Sequence, residues 1–373
     1  MTRSFIEGNE AVGWGALAAG CDFFAGYPIT PATTVFNTML SLLPPRGGIC
    51  LQGEDEIASI GFCLGASMAG HKAMTATSGP GLSLYSEQIS FALGSEIPLV
   101  IVNVQRLGPS TGSATKGADG DIQFMRWGQS SGLPVIVLAP SDAADCYLLT
   151  YIAFNLAEVY RCPVFVAANK EVSMTREAVD LEAISLPPLK ERRQAPLDRP
   201  FLPFAVPEDR LTPDFLPLGG GIPVRQTSST HGPDGYITTD PGQIERNQER
   251  LKAKLEQEVE SFTYSAQIGP SSGRTLVLSY GVTSRAARDA VQALNQDHGP
   301  VGLLDVKTLW PVPEGLIRDR AQGFEEVLVV EMNLGQYVRE IQRILPDKPV
   351  RFLGQMNGEL IKPQRIRQEV LHG

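Results

Sequence analysis

Near-continuous apolar runs alternate with segments of helical periodicity over about the first 175 residues. Such runs are typical of strands buried on both faces, and their alternation with helices predicts a parallel, doubly wound sheet. The predicted strands are Asp22–Gly26, Ala73–Thr77, Leu99–Val104, Val135–Ala139 and Val164–Ala168. The predicted helices are Pro31–Leu43, Glu56–Ala69, Leu82–Leu93 and Asp142–Tyr160. Ligands of these folds bind beyond the carboxyl ends of the strands, so the loops that follow the strands are the candidate site.

The pattern changes between about residues 176 and 270. A proline-rich stretch there predicts an irregular connection draped over the domains. It leads into a charged helix, Pro241–Glu260, whose spaced charges favour a solvated face over a binding surface.

A second alternating unit follows the connection. Its predicted strands are Thr275–Tyr280, Pro300–Asp305, Val327–Glu331 and Val350–Leu353, and its predicted helices are Ser284–Leu294, Pro313–Asp319 and Tyr337–Ile344. We therefore predict an α/β fold with a larger first domain (1–175), a connection (176–270) and a smaller α/β domain (271–373).

Composition narrows the classes of function. The 373 residues carry 32 Lys and Arg against 41 Asp and Glu, a net charge of −9. This acidic balance argues against nucleic acid as a partner, because phosphate neutralisation needs clustered basic residues. No apolar stretch approaches the ~18 residues that span a membrane, and the first ten residues lack the apolar core of a secretion signal. We therefore expect a cytoplasmic protein that does not bind membranes.

Cysteines and histidines are too few and too scattered to build a redox or zinc centre from this chain alone. The five cysteines form no C-x-x-C pair, and the four histidines lie far apart. Disulfides, iron–sulfur clusters and zinc sites are therefore not expected here. Redox chemistry would need a bound cofactor or a partner chain.

The first candidate loop, Gly26–Thr33, joins a predicted strand to a predicted helix. Thr30 suits the N-cap of that helix and Pro31 its first position, which explains both residues without a ligand. The same helix N-terminus attracts anions, and the Thr30 hydroxyl can donate to a carboxylate. The sequence leaves both interpretations open.

The second candidate loop, Gln52–Ser59, places three acids before an apolar helix. Acids in a first helical turn favour the helix dipole, so surface stabilisation is their default role. Glu56 differs because it directly adjoins the apolar run, where a desolvated carboxyl can share a proton with a heterocycle nitrogen.

Two further loops follow predicted strands. Thr77–Ser83 has Gly79 and Gly81 around a proline, so its backbone can approach a ligand, although it matches no phosphate-binding pattern. Gln105–Gly117 is long, rich in small residues, and carries Arg106. A guanidinium binds a carboxylate in a forked manner, or else pairs with a nearby acid. We expect an anionic small-molecule substrate.

The segment Ala118–Asp121 is similar to the G-D-G start of the diphosphate–magnesium motif of thiamine enzymes. No Asn follows at the spacing that the motif requires. We therefore predict no metal ligands and no complete metal–diphosphate site in this chain.

Taken in order, the loops resemble one family. Their motifs are similar to those of the α subunits of 2-oxoacid:ferredoxin oxidoreductases, above all the 2-oxoglutarate synthase branch. The motifs are G-N-E-A (8–11), G-Y-P-I-T-P (26–31), E-D-E-I-A (54–58), T-A-T-S-G-P-G (75–81) and Q-R-x-G-P-S-T-G (105–112). The second unit adds S-Y-G-V-T-S-R (279–285), K-T-L-W-P-V-P (307–313) and E-M-N-L-G-Q (331–336). The resemblance covers nearly the whole chain.

This resemblance implies a thiamine-pyrimidine-binding first domain and a transketolase C-terminal-like second domain. Thiamine diphosphate would bind at an interface with a β subunit, which would supply Mg²⁺ and a [4Fe–4S] cluster. Coenzyme A and ferredoxin would be the other reactants. The implied reaction converts 2-oxoglutarate to succinyl-CoA and CO₂, or runs in reverse as reductive carboxylation, the direction of CO₂ fixation in a reductive tricarboxylic acid cycle. An α2β2 heterotetramer is the implied assembly.

The resemblance also implies roles for single residues. Glu56 would be catalytic, contacting N1′ of the aminopyrimidine and sharing a proton with it. Thr30 and Arg106 would hold the carboxylate of the 2-oxoacid, and Thr115 and Lys116 would contact or shape the substrate site. The implied cofactor-binding residues are Tyr27, Pro28, Ile29, Glu56, Ser78 and Gly79.

The sequence departs from the family in two places. Many relatives carry a γ-like domain ahead of G-N-E-A, so a separate γ or ferredoxin-like chain is a further candidate partner. The segment H-G-P-D-G (231–235) stands where relatives show His followed by two acids, and we assign it a structural or interface role.

Two classes of alternative remain. A pyruvate, branched-chain or indolepyruvate enzyme is the alternative within the family. A non-catalytic α/β scaffold or binding subunit is the alternative of another class, which the joint presence of Glu56, Thr30 and Arg106 disfavours.

Overall fold

The computed structural model describes residues 3–197 and 200–372. The strands are β1 Ser4–Glu7, β2 Phe23–Gly26, β3 Ile49–Gln52, β4 Ala73–Thr77, β5 Leu99–Gln105, β6 Ile136–Leu138, β7 Pro163–Asn169, β8 Arg176–Val179, β9 Ser265–Ile268, β10 Gly273–Ser279, β11 Val301–Val306, β12 Thr308–Trp310, β13 Phe324–Glu331 and β14 Val350–Gly354.

Thirteen α-helices are assigned over the described residues. They are α1 Gly8–Ala18, α2 Thr33–Leu42, α3 Glu56–Met68, α4 Gly79–Leu84, α5 Ser86–Gly94, α6 Ile122–Trp127, α7 Ala143–Tyr160, α8 Lys170–Met174, α9 Pro241–Glu256, α10 Thr283–Asp297, α11 Glu314–Gln322, α12 Val338–Ile344 and α13 Pro363–His372.

A seven-stranded sheet forms the first unit, in the order β12-β6-β7-β5-β4-β2-β3. Every neighbouring pair is parallel except β12 with β6. All seven residues of β5 and of β7 are buried, since helices cover both faces of a doubly wound sheet. Most of α7 is buried as well, which fits its almost wholly apolar sequence.

A five-stranded sheet forms the second unit, in the order β14-β13-β10-β11-β9. Its strands β14, β13, β10 and β11 run parallel, and β9 closes one edge antiparallel to β11. Helix α10 packs its apolar side on this sheet, with Ala287, Ala290, Val291 and Leu294 buried.

Two predicted elements need correction. Helix α2 begins at Thr33 rather than at Pro31, so the prediction that Thr30 is an N-cap is wrong. The single helix predicted over 82–93 is two helices, α4 and α5, which meet at Tyr85. The Tyr85 ring is fully buried, and its hydroxyl lies 2.9 Å from the Thr75 hydroxyl of β4.

The charged helix also differs from its prediction, because one side of α9 is buried against the first unit. Leu251, Lys254 and Leu255 are buried. Lys254 Nζ lies 2.9 Å from Glu96 Oε2, and Arg250 binds both Glu96 oxygens at 2.7 and 3.0 Å. The interpretation of α9 as only a solvated face is therefore wrong.

The domain limits of 1–175, 176–270 and 271–373 stay a prediction. Two strands pair with a strand from a different predicted segment. Strand β12, from the third segment, pairs with β6 in the first sheet, and β9, from the second segment, pairs with β11 in the second sheet. Across the residues described, no helix is both long and apolar enough to cross a membrane.

Candidate active site

The candidate loops lie side by side because their strands are neighbours. Strands β3, β2, β4 and β5 are adjacent and parallel, so the loops after them leave the same edge of the sheet. Ligands of open α/β sheets bind at this carboxyl edge.

Glu56 is the first residue of α3, and Asp55 fixes where that helix begins. The Asp55 side chain accepts a hydrogen bond from Ala58 N at 2.7 Å, as an N-cap does. Glu56 itself is 9% exposed. Its carboxylate makes no hydrogen bond to any described residue, so it is free to accept one from a ligand.

Gly81 makes room for that carboxylate. A Cβ atom at position 81 would collide with Thr77 Oγ1 and would lie 2.6 Å from Glu56 Cγ. Position 81 therefore has to be glycine while Glu56 is held against the turn. From the sequence we interpret this glycine as a place where a ligand can approach the backbone. In the structure, the Glu56 side chain packs against it instead.

Asn9 of the G-N-E-A motif anchors the loop after β2 by hydrogen bonds. Asn9 is fully buried, and its Nδ2 donates to Pro31 O at 2.8 Å and to Thr34 Oγ1 at 2.6 Å. Above this support, Tyr27, Pro28 and Thr30 are exposed and Ile29 is half-buried. These side chains therefore line an open surface beside β3.

Arg106 directly follows β5 at this edge of the sheet. Its Nη1 donates to Thr30 O at 2.5 Å, which links the loops after β2 and β5. Its Nε is buried and has no partner within the described chain. Desolvation lowers the pKa of Arg106, and the nearby Asp121 carboxyl opposes that shift. Neither Nε nor Nη2 has a hydrogen-bond partner among the described residues, and these two atoms form the edge that can make a forked contact with a carboxylate.

Ser78 and Gly79 lie at the end of β4, between these groups. The Ser78 side chain is fully buried, and its Oγ has no hydrogen-bond partner among the described residues. Buried hydroxyls are normally paired, so an orphaned one at this edge fits a bound group.

Thr115 and Lys116 lie at the base of the loop that follows β5. Leu107 N donates to Lys116 O at 2.8 Å, which brings this backbone alongside the residue next to Arg106. Both side chains are exposed. The Lys116 stem covers Gly358 of the second unit, where a Cβ would lie 2.8 Å from Lys116 Cβ.

A buried polar network joins this edge to the second unit. Asn333 Nδ2 donates to Asp119 O, Tyr280 Oη and Glu331 Oε2 at 2.9–3.0 Å. Asn169 Nδ2 donates to Asp119 Oδ1. Burial raises the pKa of Asp119 well above its usual range, and Glu171 and Glu331 add to the shift.

The residues of this network act as hydrogen-bonding groups. Over residues 3–197 and 200–372, no three His, Cys, Asp or Glu side chains are arranged to hold a metal ion.

Several residues of the site were not singled out from the sequence. Asn9 supports the loop after β2, and Asn103 and Gln105 of β5 bind Asp121. A buried strand ending in Asn-Val-Gln-Arg does carry a signal, since polar side chains within a buried run need partners. The assigned roles of the predicted site residues stay a prediction.

Comparison with known families assigns the fold to a thiamine diphosphate-binding class of α/β protein. Residues 14–250 match the family described as pyruvate flavodoxin/ferredoxin oxidoreductase, thiamine diphosphate-binding. Residues 274–366 match pyruvate:ferredoxin oxidoreductase core domain II. The chain belongs to the pyruvate flavodoxin/ferredoxin oxidoreductase family, and the family and the fold class predicted from the sequence are confirmed.

Named relatives and a solved structure refine the comparison. The chain is 39% identical to 2-oxoglutarate synthase subunit KorA of Methanothermobacter thermautotrophicus, over 98% of each chain. It is 33% identical to ketoisovalerate oxidoreductase subunit VorB of the same organism, over 99% of this chain and 97% of that one.

The solved structure is 2-oxoglutarate:ferredoxin oxidoreductase from Magnetococcus marinus with 2-oxoglutarate, coenzyme A and succinyl-CoA bound. It matches with a TM-score of 0.93 and 32% identity over 99% of this chain. This chain spans 65% of the length of that one.

Proposed function

We propose that this chain is the α subunit of a 2-oxoglutarate:ferredoxin oxidoreductase. The reaction converts 2-oxoglutarate and coenzyme A to succinyl-CoA and CO₂ while ferredoxin takes up the two electrons, and reductive carboxylation is its reverse. One observation carries the proposal: a free buried carboxyl, Glu56, and a free guanidinium edge, Arg106, share one sheet edge. The 39% identity to a 2-oxoglutarate synthase subunit supports this substrate over ketoisovalerate, whose subunit is 33% identical.

The residues at this edge fit the pyrimidine end of thiamine diphosphate. Glu56 offers a buried carboxyl without a hydrogen-bond partner among the described residues, and this group could exchange a proton with N1′ of the ring. The orphaned Ser78 Oγ offers a polar contact, and the backbone of Gly79 next to it is a further proposed contact. Tyr27, Pro28 and Ile29 are the remaining residues proposed to contact the pyrimidine ring. When bound, the cofactor supplies stabilisation of carbanion character at the substrate carbon.

Arg106 and Thr30 would orient the substrate. The free Nε–Nη2 edge of Arg106 matches the geometry of a carboxylate, and the exposed Thr30 hydroxyl can donate to the same group. A dicarboxylate needs a second polar contact. Thr115 and Lys116, both exposed beside this edge, are the proposed source of it.

A β subunit would complete the site and supply Mg²⁺ and the [4Fe–4S] cluster. An apolar surface surrounds Glu56 and supports this partner: Ile49 and Leu51 on β3, and Ile57 and Phe62 on α3, are 40–48% exposed. Exposed apolar patches of this kind mark protein–protein contacts. We propose an α2β2 heterotetramer, with ferredoxin as electron acceptor and a separate γ or ferredoxin-like chain as a further partner.

The proposed location is the cytoplasm. All five cysteines are free thiols, which suits a reducing compartment. In that setting the reverse reaction would fix CO₂ in a reductive tricarboxylic acid cycle.

The test is the substrate preference of the complex co-purified with its β chain. Reduction of a viologen dye should require both coenzyme A and a 2-oxoacid, and kcat/KM should be highest for 2-oxoglutarate. A higher kcat/KM with pyruvate, 2-oxoisovalerate or indolepyruvate would assign the chain to another branch. If the complex assembles but shows no dye reduction with any of these acids, the chain would instead be a non-catalytic scaffold or binding subunit.

A further inference from the structure

Asp121 is an acid of the site edge to which the proposed function gives no role. Its Oδ2 accepts a hydrogen bond from Asn103 Nδ2 at 3.0 Å, and its backbone N–H donates to Gln105 Oε1 at 3.2 Å. Asn103 and Gln105 belong to the fully buried strand β5, and Arg106 follows directly. The carboxyl group of Asp121 is thereby fixed beside the guanidinium.

The turn after β4 separates Asp121 from Glu56. A Cβ atom at Gly79 would lie 3.2 and 3.3 Å from the two Asp121 oxygens, as one at Gly81 would crowd Glu56. The two glycines therefore accommodate two carboxyl groups on one turn. Glu56 is the group proposed for the cofactor, whereas Asp121 faces Arg106 and hence the substrate side.

Asp121 forms no ion pair with Arg106 among the described residues, although the Arg106 charge acts on its carboxyl group. The Oδ1 atom of Asp121 accepts no hydrogen bond from a described residue, and only Oδ2 is bound, by Asn103. Burial raises the pKa of Asp121, against the opposing effects of the Asn103 hydrogen bond and the Arg106 charge. Two further acids lie nearby: Asp119 of the same segment, whose pKa Asp121 helps to raise, and Glu56, which lies at Gly81 on the same turn.

The charge of Asp121 would affect how strongly an anion binds beside Arg106. An ionised Asp121 would repel a carboxylate held on the Nε–Nη2 edge of Arg106, since both would compete for one positive charge in a partly desolvated place. A protonated Asp121 removes the repulsion and can donate an O–H hydrogen bond to the same carboxylate.

We propose that Asp121 is a substrate-binding residue that carries a proton when the 2-oxoacid binds and donates from Oδ1 to its carboxylate, beside Arg106. This inference rests on the proposed function. Binding of the substrate is then linked to one proton. The KM for the 2-oxoacid should rise with pH above the Asp121 pKa, by up to about tenfold per pH unit.

The test compares Asp121→Asn and Asp121→Ala in the assembled complex, measuring KM and kcat for 2-oxoglutarate over the pH range in which the complex is stable, extended on the acid side until the wild-type KM stops falling. An Asn amide is a permanent donor of similar shape, so Asp121→Asn should keep KM within about threefold of the wild-type value at the acid end of that range, with a flatter pH profile. Asp121→Ala should raise KM about tenfold or more with less effect on kcat. Asp347→Asn, at an exposed position in the second unit, is the matched control and should match wild type.

Several results would overturn the inference. Equal losses for Asn and Ala would mean that the negative charge, not a donated proton, is what the site needs. A wild-type KM in Asp121→Ala, or an unchanged pH profile in Asp121→Asn, would remove Asp121 from substrate binding. If Asp121→Ala fails to assemble, the pH profile of Asp121→Asn decides. A wild-type complex without 2-oxoacid-dependent activity would instead defeat the proposed function, which separates the two failures.

Discussion

At the scale of single residues, the candidate site is marked by polar groups without partners. Buried polar atoms are paired in most of a folded protein, yet Ser78 Oγ, Arg106 Nε and Asn103 Oδ1 have no partner within the residues described. The three lie at the ends of the neighbouring strands β4 and β5. A ligand bound at this edge could therefore supply the missing hydrogen-bond partners.

Arg106 gives the sharpest residue-scale prediction. Replacement by Ala removes the charged fork and should raise KM for the 2-oxoacid about tenfold to hundredfold, since hydrogen bonds to charged groups contribute about 1.5–3 kcal/mol. Arg106→Lys keeps the charge without the fork and should lie between Ala and wild type. Steady-state kinetics of the assembled complex measure both.

The control for Arg106 is Arg320→Ala, at an exposed position on α11. It should leave KM unchanged. If Arg106→Ala also has the wild-type KM, the guanidinium does not hold the substrate carboxylate.

Part of this site could be predicted from sequence alone. Glu56 stood out because an acid adjoined an apolar run, and Arg106 because it followed a predicted buried strand. Asn9 and Asp121 were noted only as parts of motifs and Asn103 not at all, because their hydrogen-bond partners lie 18–25 residues away along the chain. These contacts form only when the strands are arranged side by side in the sheet. The periodicity of the sequence predicts which segments are strands but not the order in which they pair.

At the scale of elements, the docking of α9 depends on one buried acid. Glu96 is fully buried and lies against Lys254 and Arg250 of α9. Burial alone would raise its pKa, but these two cations outweigh burial and hold the pKa of Glu96 well below its ordinary value. The ion pairs therefore stabilise the fold while the acid is charged.

Glu96→Gln should lower the free energy of unfolding by about 3–5 kcal/mol, because it leaves two cations near a buried site without a counter-charge. The depressed pKa means that this contribution is present above about pH 4.5 and is lost as pH falls through the folded-state value. Urea unfolding of the wild type and the variant at neutral and acidic pH measures the difference.

Glu249→Gln is the matched control on the exposed side of α9, and it should change the free energy of unfolding by less than about 0.5 kcal/mol. Equal stability of Glu96→Gln and wild type would show that the helix is held by its apolar contacts alone.

Elements with a strong signal were predictable, and elements set by tertiary context were not. Strands β4, β5 and β7 were predicted because most of their residues are apolar, and all of them are buried. Strands β3 and β9 were missed because they are short edge strands, mostly exposed or half-buried. Strand β12 was missed because it pairs with β6, far earlier in the chain.

At the scale of the whole molecule, the two α/β units are joined at the site edge. Strand β12 extends the first sheet, and Asn333 of the second unit donates to Asp119 of the first. The Lys116 stem packs over Gly358. The loop that carries the proposed substrate residues is therefore supported from both units, which links their packing to the geometry of the site.

The central claim is that this chain supplies Glu56 to a site completed by another chain. The direct test titrates a separately prepared β chain into this chain and follows viologen reduction with 2-oxoglutarate and coenzyme A. Neither chain should be active alone, and the rate should saturate as the complex forms. Glu56→Gln should bind the β chain as tightly and lower kcat about a hundredfold or more, whereas Glu54→Gln, at an exposed neighbouring position, should match wild type. Turnover by this chain alone, or a wild-type rate in the Glu56→Gln complex, would contradict the account.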